Sequence, residues 1–384
     1  MKNVMTAGAA LLLTTSLAHA GGLDRSGQPV GVLFEEGNVF QLSFGSINPS
    51  VSGETTFTTP IPFPPGSLPP GISSGNMAPS YVQLGGAVKY SVNDNLDVAL
   101  VYDQPFGANV DYSDSDLGYY AGPTSAEVVT SSITAFGRYK INENMSVHGG
   151  LRYQTVQADV TVAAAGYNFT SETSSGTGFV VGAAYEIPEI ALRVALTYNS
   201  KISHEITATE TCALCSGTPE ITDVDTPESI NLDFQSGVAE DTLVFGSIRY
   251  ARWTQFDFRP EGYATLTGAG NPDDGSSLQS YDQDTIAYSL GVGRRFTDEF
   301  SGAFSVGYEA AQGGFAGDLA PTDGNFSVGL GGTYTMGDSK LTAGVRYIML
   351  GDATTENPIV DDAPGSSFTG NSAIAFGISL TQSF

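Results

Sequence analysis

The sequence predicts an all-β fold: a 14-stranded antiparallel transmembrane β-barrel with a short N-terminal hatch-like segment. Three observations predict it. Short runs alternate apolar with small or polar residues along nearly the whole chain. In the last run Ile374, Phe376, Ile378, Leu380 and Phe384 share one face, and Ala373, Ala375, Gly377, Ser379, Thr381 and Ser383 share the other. Connections alternate between tight and long, as inner turns and outer loops of a bacterial barrel do, whereas a soluble sandwich has no reason to sort loop length by parity. Beyond the leader, no segment approaches the roughly 20 apolar residues of a membrane helix. A membrane-spanning form therefore requires a closed sheet, which satisfies every backbone group in lipid.

The N-terminus reads as an export signal over residues 1–20: Lys2, an apolar stretch from Ala7 to Leu17, and the small-residue site Ala18-His19-Ala20. Residues 21–37 then form a short plug segment and residues 38–384 the barrel. No linker interrupts the strand pattern, which favours one barrel domain. The balance of 41 Asp+Glu against 15 Lys+Arg argues against nucleic acid and anionic lipid as partners. Forty-seven glycines and 18 tyrosines suit many turns and aromatic girdles.

Strands are expected at 38–51, 78–90, 96–109, 126–140, 145–163, 169–186 and 189–207, and then at 226–238, 241–257, 283–297, 300–311, 323–336, 340–352 and 369–384. The tight connections carry turn formers: Ser91–Asn95, Ile141–Asn144, Ile187-Pro188, Ala239-Glu240, Thr297–Glu299 and Gly337–Ser339. Pro60–Pro79, Val110–Ser125, Ala208–Asp225, Arg259–Asp282 and Ala353–Phe368 are long, polar and rich in Gly or Pro. The connection between the fifth and sixth strands is the short exception.

Parity sorts the side chains. Val82, Leu84, Val88, Leu151, Leu196, Phe304, Leu330 and Val345 fall on the lipid face, with tyrosines such as Tyr153, Tyr198 and Tyr347 near strand ends. Lys89, Arg138, Arg152, Arg193, Arg249, Arg295 and Arg346 fall on the lumen face; Arg294 falls outward near an inner end. Arg152, Arg249 and Arg346 lie near mid-height. Inward arginine has an ordinary structural reading, because a lipid-side charge costs about 2–4 kcal/mol at the midplane. Its functional reading is a cationic lumen that meets the head of an anionic amphiphile, with Arg193 in the same candidate set.

No arrangement of nucleophile and base, metal-ligand cluster or phosphate loop is legible, so no enzyme activity, cofactor or metal is expected. His148 has lumen parity near an inner turn, and His204 has lipid-side parity near the outer rim. Cys212 and Cys215 form a lone C-x-x-C, read as a small loop disulfide formed outside the cytoplasm rather than a redox or zinc site.

Several stretches resemble the FadL/TodX (OMPP1) outer-membrane transporters of long-chain fatty acids and hydrocarbons. Tyr102-Asp-Gln104-Pro105-Phe106-Gly107, closing the third strand, looks like that family's P-F-G element. Arg138 through Tyr153 resembles its fourth strand, turn and fifth strand, and Pro227-Glu228 with Phe245 through Phe256 resembles its eighth and ninth strands with a tryptophan. The resemblance implies a plugged monomeric barrel in outer-membrane lipid and a kink at Gln104–Gly107 that opens the wall sideways. It also implies passive movement of hydrophobic or amphipathic small molecules. Proline breaks ladder pairing, which fits a kink at Pro105, as does the plain end of a strand. The family's hatch motif has no match before the first strand; Glu35 and Glu36 are the residues expected inside the barrel mouth. General or anion-preferring porins and adhesin-like barrels are the rival readings; fast sugar permeation in a liposome-swelling assay favours the porin.

Overall fold

The computed structural model describes residues 23–62, 65–358, 360 and 362–384. The leader expected at 1–20 and the first residues of the plug lie outside them.

Fourteen strands close a barrel. They are β1 (Val39–Ser50), β2 (Tyr81–Ser91), β3 (Leu96–Asp103 and Gly107–Asp111), β4 (Ser125–Lys140), β5 (Met145–Val162), β6 (Tyr167–Ser171 and Ser174–Ile187) and β7 (Leu192–Asn199 and Ile202–Thr211). They continue as β8 (Pro219–Thr226 and Ser229–Ala239), β9 (Thr242–Ala251), β10 (Thr285–Arg295), β11 (Phe300–Glu309), β12 (Asn325–Met336), β13 (Ser339–Leu350) and β14 (Ser372–Ser383). Closure is antiparallel: β1 pairs β14 from Val39↔Ser383 to Ser50↔Ser372, and pairs β2 on its other side. The alternation explains the fold. Leu151, Leu196, Leu330 and Phe376 stand exposed on the outer surface, while Arg138, Arg152, Arg193, Arg249 and Arg346 are buried inside.

Two interruptions reset parity. In β3, Asp103 pairs Ser132 and Gly107 pairs Val129, so Gln104, Pro105 and Phe106 oppose only two residues of β4. The extra residue makes a bulge and swings Phe106 inward. The strand resumes beyond Pro105, which is a break within it and not its end. In β7 and β8, Asn199 pairs Ser229 and Ile202 pairs Thr226, with two residues between on each strand. Asn199 and Ile202 therefore both face inward, and every residue beyond follows the shifted parity. His204 accordingly lies inside, fully buried, and not on the lipid side.

The outer loops pack into a cap. Gly53–Thr55, Phe315–Ala316, Ala353–Glu356 and Pro364–Phe368 form a small sheet, and α1 (Glu261–Thr267) lies in the loop after β9. The Tyr120 hydroxyl donates to Asp318 Oδ1 and the Tyr112 hydroxyl to its carbonyl, both at 2.6 Å. Burial raises the Asp318 carboxyl above its usual range and pushes the Tyr119 phenol up to about 12. The Gly262 and Tyr263 N–H groups donate to the two Glu210 carboxylate oxygens, each at 3.0 Å, which ties α1 to β7. Cys212 and Cys215 form a disulfide at the tip of the β7–β8 hairpin.

Candidate functional site

The N-terminal segment runs through the lumen. Val30, Val32 and Leu33 pack on inward residues Ala87, Ala99, Val101, Phe136 and Val180. The guanidinium groups of Arg138 and Arg193 both lie over the Phe34 ring, 4.5 and 4.7 Å from its centre. Lys89 Nζ donates to the carbonyls of Glu35 and Gly37 at 2.8 Å, and Glu35 Oε2 lies 3.7 Å from Lys340 Nζ. Glu35 thus sits in the lumen. Glu36 is exposed, because the chain turns into β1 there.

At its other end this segment adds to β3 at the break. Arg25 N–H donates to the Pro105 carbonyl at 2.8 Å, and Gly107 N–H donates to the Leu23 carbonyl at 2.8 Å. Proline supplies no donor, but its carbonyl serves the N-terminal segment. Phe106 N–H donates to Thr130 Oγ1 at 2.9 Å, which fastens the bulge to β4. Asp24 Oδ2 accepts from Arg249 Nε at 2.6 Å, both residues buried. Arg249 Nη1 also donates to Asn231 Oδ1 at 2.8 Å and Ser229 Oγ at 3.0 Å.

Beside the break the ladder between β2 and β3 stops. The β2–β3 ladder runs only from Gly86↔Tyr102 to Ser91↔Asp97, so Tyr81–Gly85 pairs β1 alone. Gln104 spans part of the gap: its Oε1 accepts from Leu84 N–H at 2.8 Å and its carbonyl from Gln83 Nε2 at 3.2 Å. All four residues expected at a kink, Gln104, Pro105, Phe106 and Gly107, lie along this gap.

Two cavities meet the N-terminal segment. The lumen cavity, about 170 Å³, is lined by Val30, Val32, Glu35, Arg193, Asp233, Arg249 and Arg346. The outer one, about 50 Å³, is almost wholly apolar. Leu23 and Phe106 line its floor, Val128, Val156, Val160, Ile206 and Val224 its walls, and Trp253, Phe256, Phe258, Tyr281 and Leu319 its remaining sides. Trp253 is its central aromatic, with ring centroids 5.8 Å from Phe106 and 5.1 Å from Tyr281. A cavity of roughly 150 Å³ takes a benzene ring, so a guest here requires these rings to move.

The candidate arginines fall into different settings. Arg249 is occupied by Asp24. Arg152 donates to Thr134 Oγ1 at 2.8 Å and Asn199 Oδ1 at 3.1 Å, inside the wall rather than on either cavity. Arg193 covers Phe34. Arg346 donates to Ser327 Oγ at 2.9 Å and Ser305 Oγ at 3.2 Å, and its buried Nε has no partner among the described residues.

Parity reasoning missed the apolar cavity, although a signal was present. Past Gln154 the alternation of β5 inverts: Val156, Ala158 and Val160 face inward while Gln157 and Asp159 face out. Inversion marks where a strand leaves lipid, its outer face meeting water and its inner face meeting the loops.

The sequence matches the outer membrane protein transport family described as OMPP1/FadL/TodX over residues 72–384. No curated protein sequence matches. Among solved structures, a Pseudomonas aeruginosa FadL homologue aligns with a TM-score of 0.72 at 14% identity, covering 93% of this chain and 92% of its own. The Pseudomonas putida toluene transporter TodX aligns at 0.63 and 14%, covering 91% of each chain. The Ralstonia pickettii toluene transporter TbuX aligns at 0.58 and 12%, covering 92% of this chain and 90% of its own. The family match and the closed barrel place the protein in the Gram-negative outer membrane. The chain belongs to the OMPP1/FadL/TodX family of outer membrane transport proteins.

Proposed function

We propose that this chain passively moves long-chain fatty acids or other hydrophobic compounds inward. Cargo collects in the apolar cavity under the cap, displaces Leu23–Ser26 from β3, and leaves sideways between β2 and β3. One observation carries this reading: Leu23 and Phe106, which line the apolar cavity, belong to the two segments paired at the break in β3, Leu23–Arg25 and Phe106-Gly107. Passage of this kind needs no chemistry and no cofactor, and one barrel suffices for it. Residues 1–20 would direct export and residues 21–37 would act as the hatch. The lumen arginines Arg193 and Arg346 are the candidates to meet an anionic head on the way.

Trp253 is the only tryptophan of the chain and lines the cavity, so it reports occupancy directly. Dibromostearate added to the protein in micelles is expected to quench its emission saturably, and unbrominated stearate to restore it. Quenching that neither saturates nor yields to the competitor would exclude the cavity as a cargo site.

A further inference from the structure

Besides Gln104, the side chain of Arg25 bridges the gap between β2 and β3. Its Nη2 donates to Asn109 Oδ1 at 2.6 Å on the β3 side. On the β2 side its Cζ lies 4.1 Å from the centre of the Tyr81 ring. The guanidinium also lies against Gly107, where a Cβ would come within 2.5 Å of Cζ, so this seat exists only because residue 107 lacks a side chain. Arg25 is 9% exposed.

Its charge is poorly answered. Among the described residues no carboxylate lies within ion-pair distance of its guanidinium. Asp24, its chain neighbour, is taken by Arg249. Asp103 accepts from Ser26 Oγ at 2.6 Å and from Ser132 Oγ. The carboxylate that attracts Arg25, Glu127 across from Asn109 in the β3–β4 ladder, stands beyond ion-pair distance, so one neutral acceptor, one ring and a separated charge only partly compensate the desolvation of the guanidinium.

We propose that Arg25 is the bolt of the wall opening, and that an anionic head group on the cargo, a carboxylate in particular, draws it off Asn109 and Tyr81. This rests on the reading that cargo leaves between β2 and β3. A carboxylate gives the guanidinium two charged acceptors in place of one neutral amide oxygen. A neutral hydrocarbon offers nothing in exchange, so an anionic amphiphile crosses in preference to a neutral molecule of the same length.

The test compares uptake of labelled oleate and oleyl alcohol, equal chains with charged and neutral heads. The carriers are Gram-negative cells that lack their own long-chain transporter and express the wild type, Arg25→Gln or Arg25→Lys. Heat-modifiable migration on gels confirms folded barrels. In Arg25→Gln the oleate-to-alcohol ratio is expected to fall about tenfold, the value of one charge-assisted hydrogen bond. Arg25→Lys, which keeps the charge, should preserve most of the ratio. An unchanged ratio in Arg25→Gln, or equal loss in both variants, overturns the proposal while leaving transport standing. Wild-type cells that take up neither compound would overturn the transport reading and this inference with it.

Discussion

Replacing Asp24 with alanine is expected to make the barrel leak ions. Asp24 Oδ2 lies 2.6 Å from Arg249 Nε, with both side chains almost wholly removed from solvent. Removing one partner of a buried pair typically costs about 3–5 kcal/mol, because the other charge stays buried without compensation. Arg249 keeps Gln28, Ser229 and Asn231 as partners, all neutral. The cheapest relief is for Leu23–Ser26 to detach from the break in β3, since a few backbone hydrogen bonds and the side-chain bonds of Arg25 to Asn109 and Ser26 to Asp103 hold it there, far fewer than hold a barrel strand. Detachment unblocks the lumen without unfolding the wall. Conductance in planar bilayers should therefore rise well above wild type in Asp24→Ala, while Asp24→Asn, which keeps an acceptor, should fall between. A variant as silent as wild type would show that the segment keeps its seat without the Asp24–Arg249 pair.

The second large effect is expected at Trp253. The indole is 1% exposed and touches the rings of Phe106, Phe256 and Tyr281. Truncating a buried tryptophan to alanine generally costs about 3–5 kcal/mol through lost contacts and the void left behind. Here the loss is local, because these partners belong to the cap and the break in β3 and not to the closed ladder. Trp253→Ala should keep the heat-modifiable migration of a folded barrel, yet its loop after β9 should be cut by protease far faster than in wild type. Calorimetric binding of a fatty acid should weaken at least tenfold, because the central wall of the cavity is gone. Unchanged loop protection would mean that Trp253 packs without supporting the cap.

Why were some features legible in the sequence and others not? Strand identity follows from local alternation and turn chemistry, which need no partner. Side chains keep their expected face where a strand crosses lipid without interruption: Ile374, Phe376 and Ile378 face out as their spacing requires. Pro105 marked the break because its missing donor is a property of one residue. The sense of the break was hidden, since a bulge is counted against the neighbouring strand, and only the pairing of Asp103 with Ser132 and Gly107 with Val129 reveals the extra residue. His204 was misassigned for a related reason, a shift of parity just before it in β7 at Ser200-Lys201.

The arginines show a second limit. Parity put them inside, yet what each one meets lies across the lumen on a segment distant in sequence. Arg249 meets Asp24, and Arg193 meets Phe34. Arg25, which faces the wall opening, precedes every strand and carries no periodic signal at all. The apolar cavity was nearer to legible: Val156-Gln-Ala-Asp-Val160 states in its own alternation that grease faces inward there.

On the proposed route, Leu23–Ser26 must leave the break in β3 for cargo to pass. Asp24 and Phe106 are bridge partners flanked by the Arg25–Pro105 and Gly107–Leu23 hydrogen bonds, a non-hydrogen-bonded antiparallel pair. Cα atoms in such pairs lie about 4.5 Å apart, within the reach of a disulfide. The decisive measurement is fatty acid uptake by the Asp24→Cys, Phe106→Cys double variant, oxidised and then reduced, beside reduced wild type as control for the Cys212–Cys215 bridge. Uptake is expected to vanish when the variant is oxidised and to recover on reduction. Uptake at the wild-type rate with the cross-link in place would contradict that route.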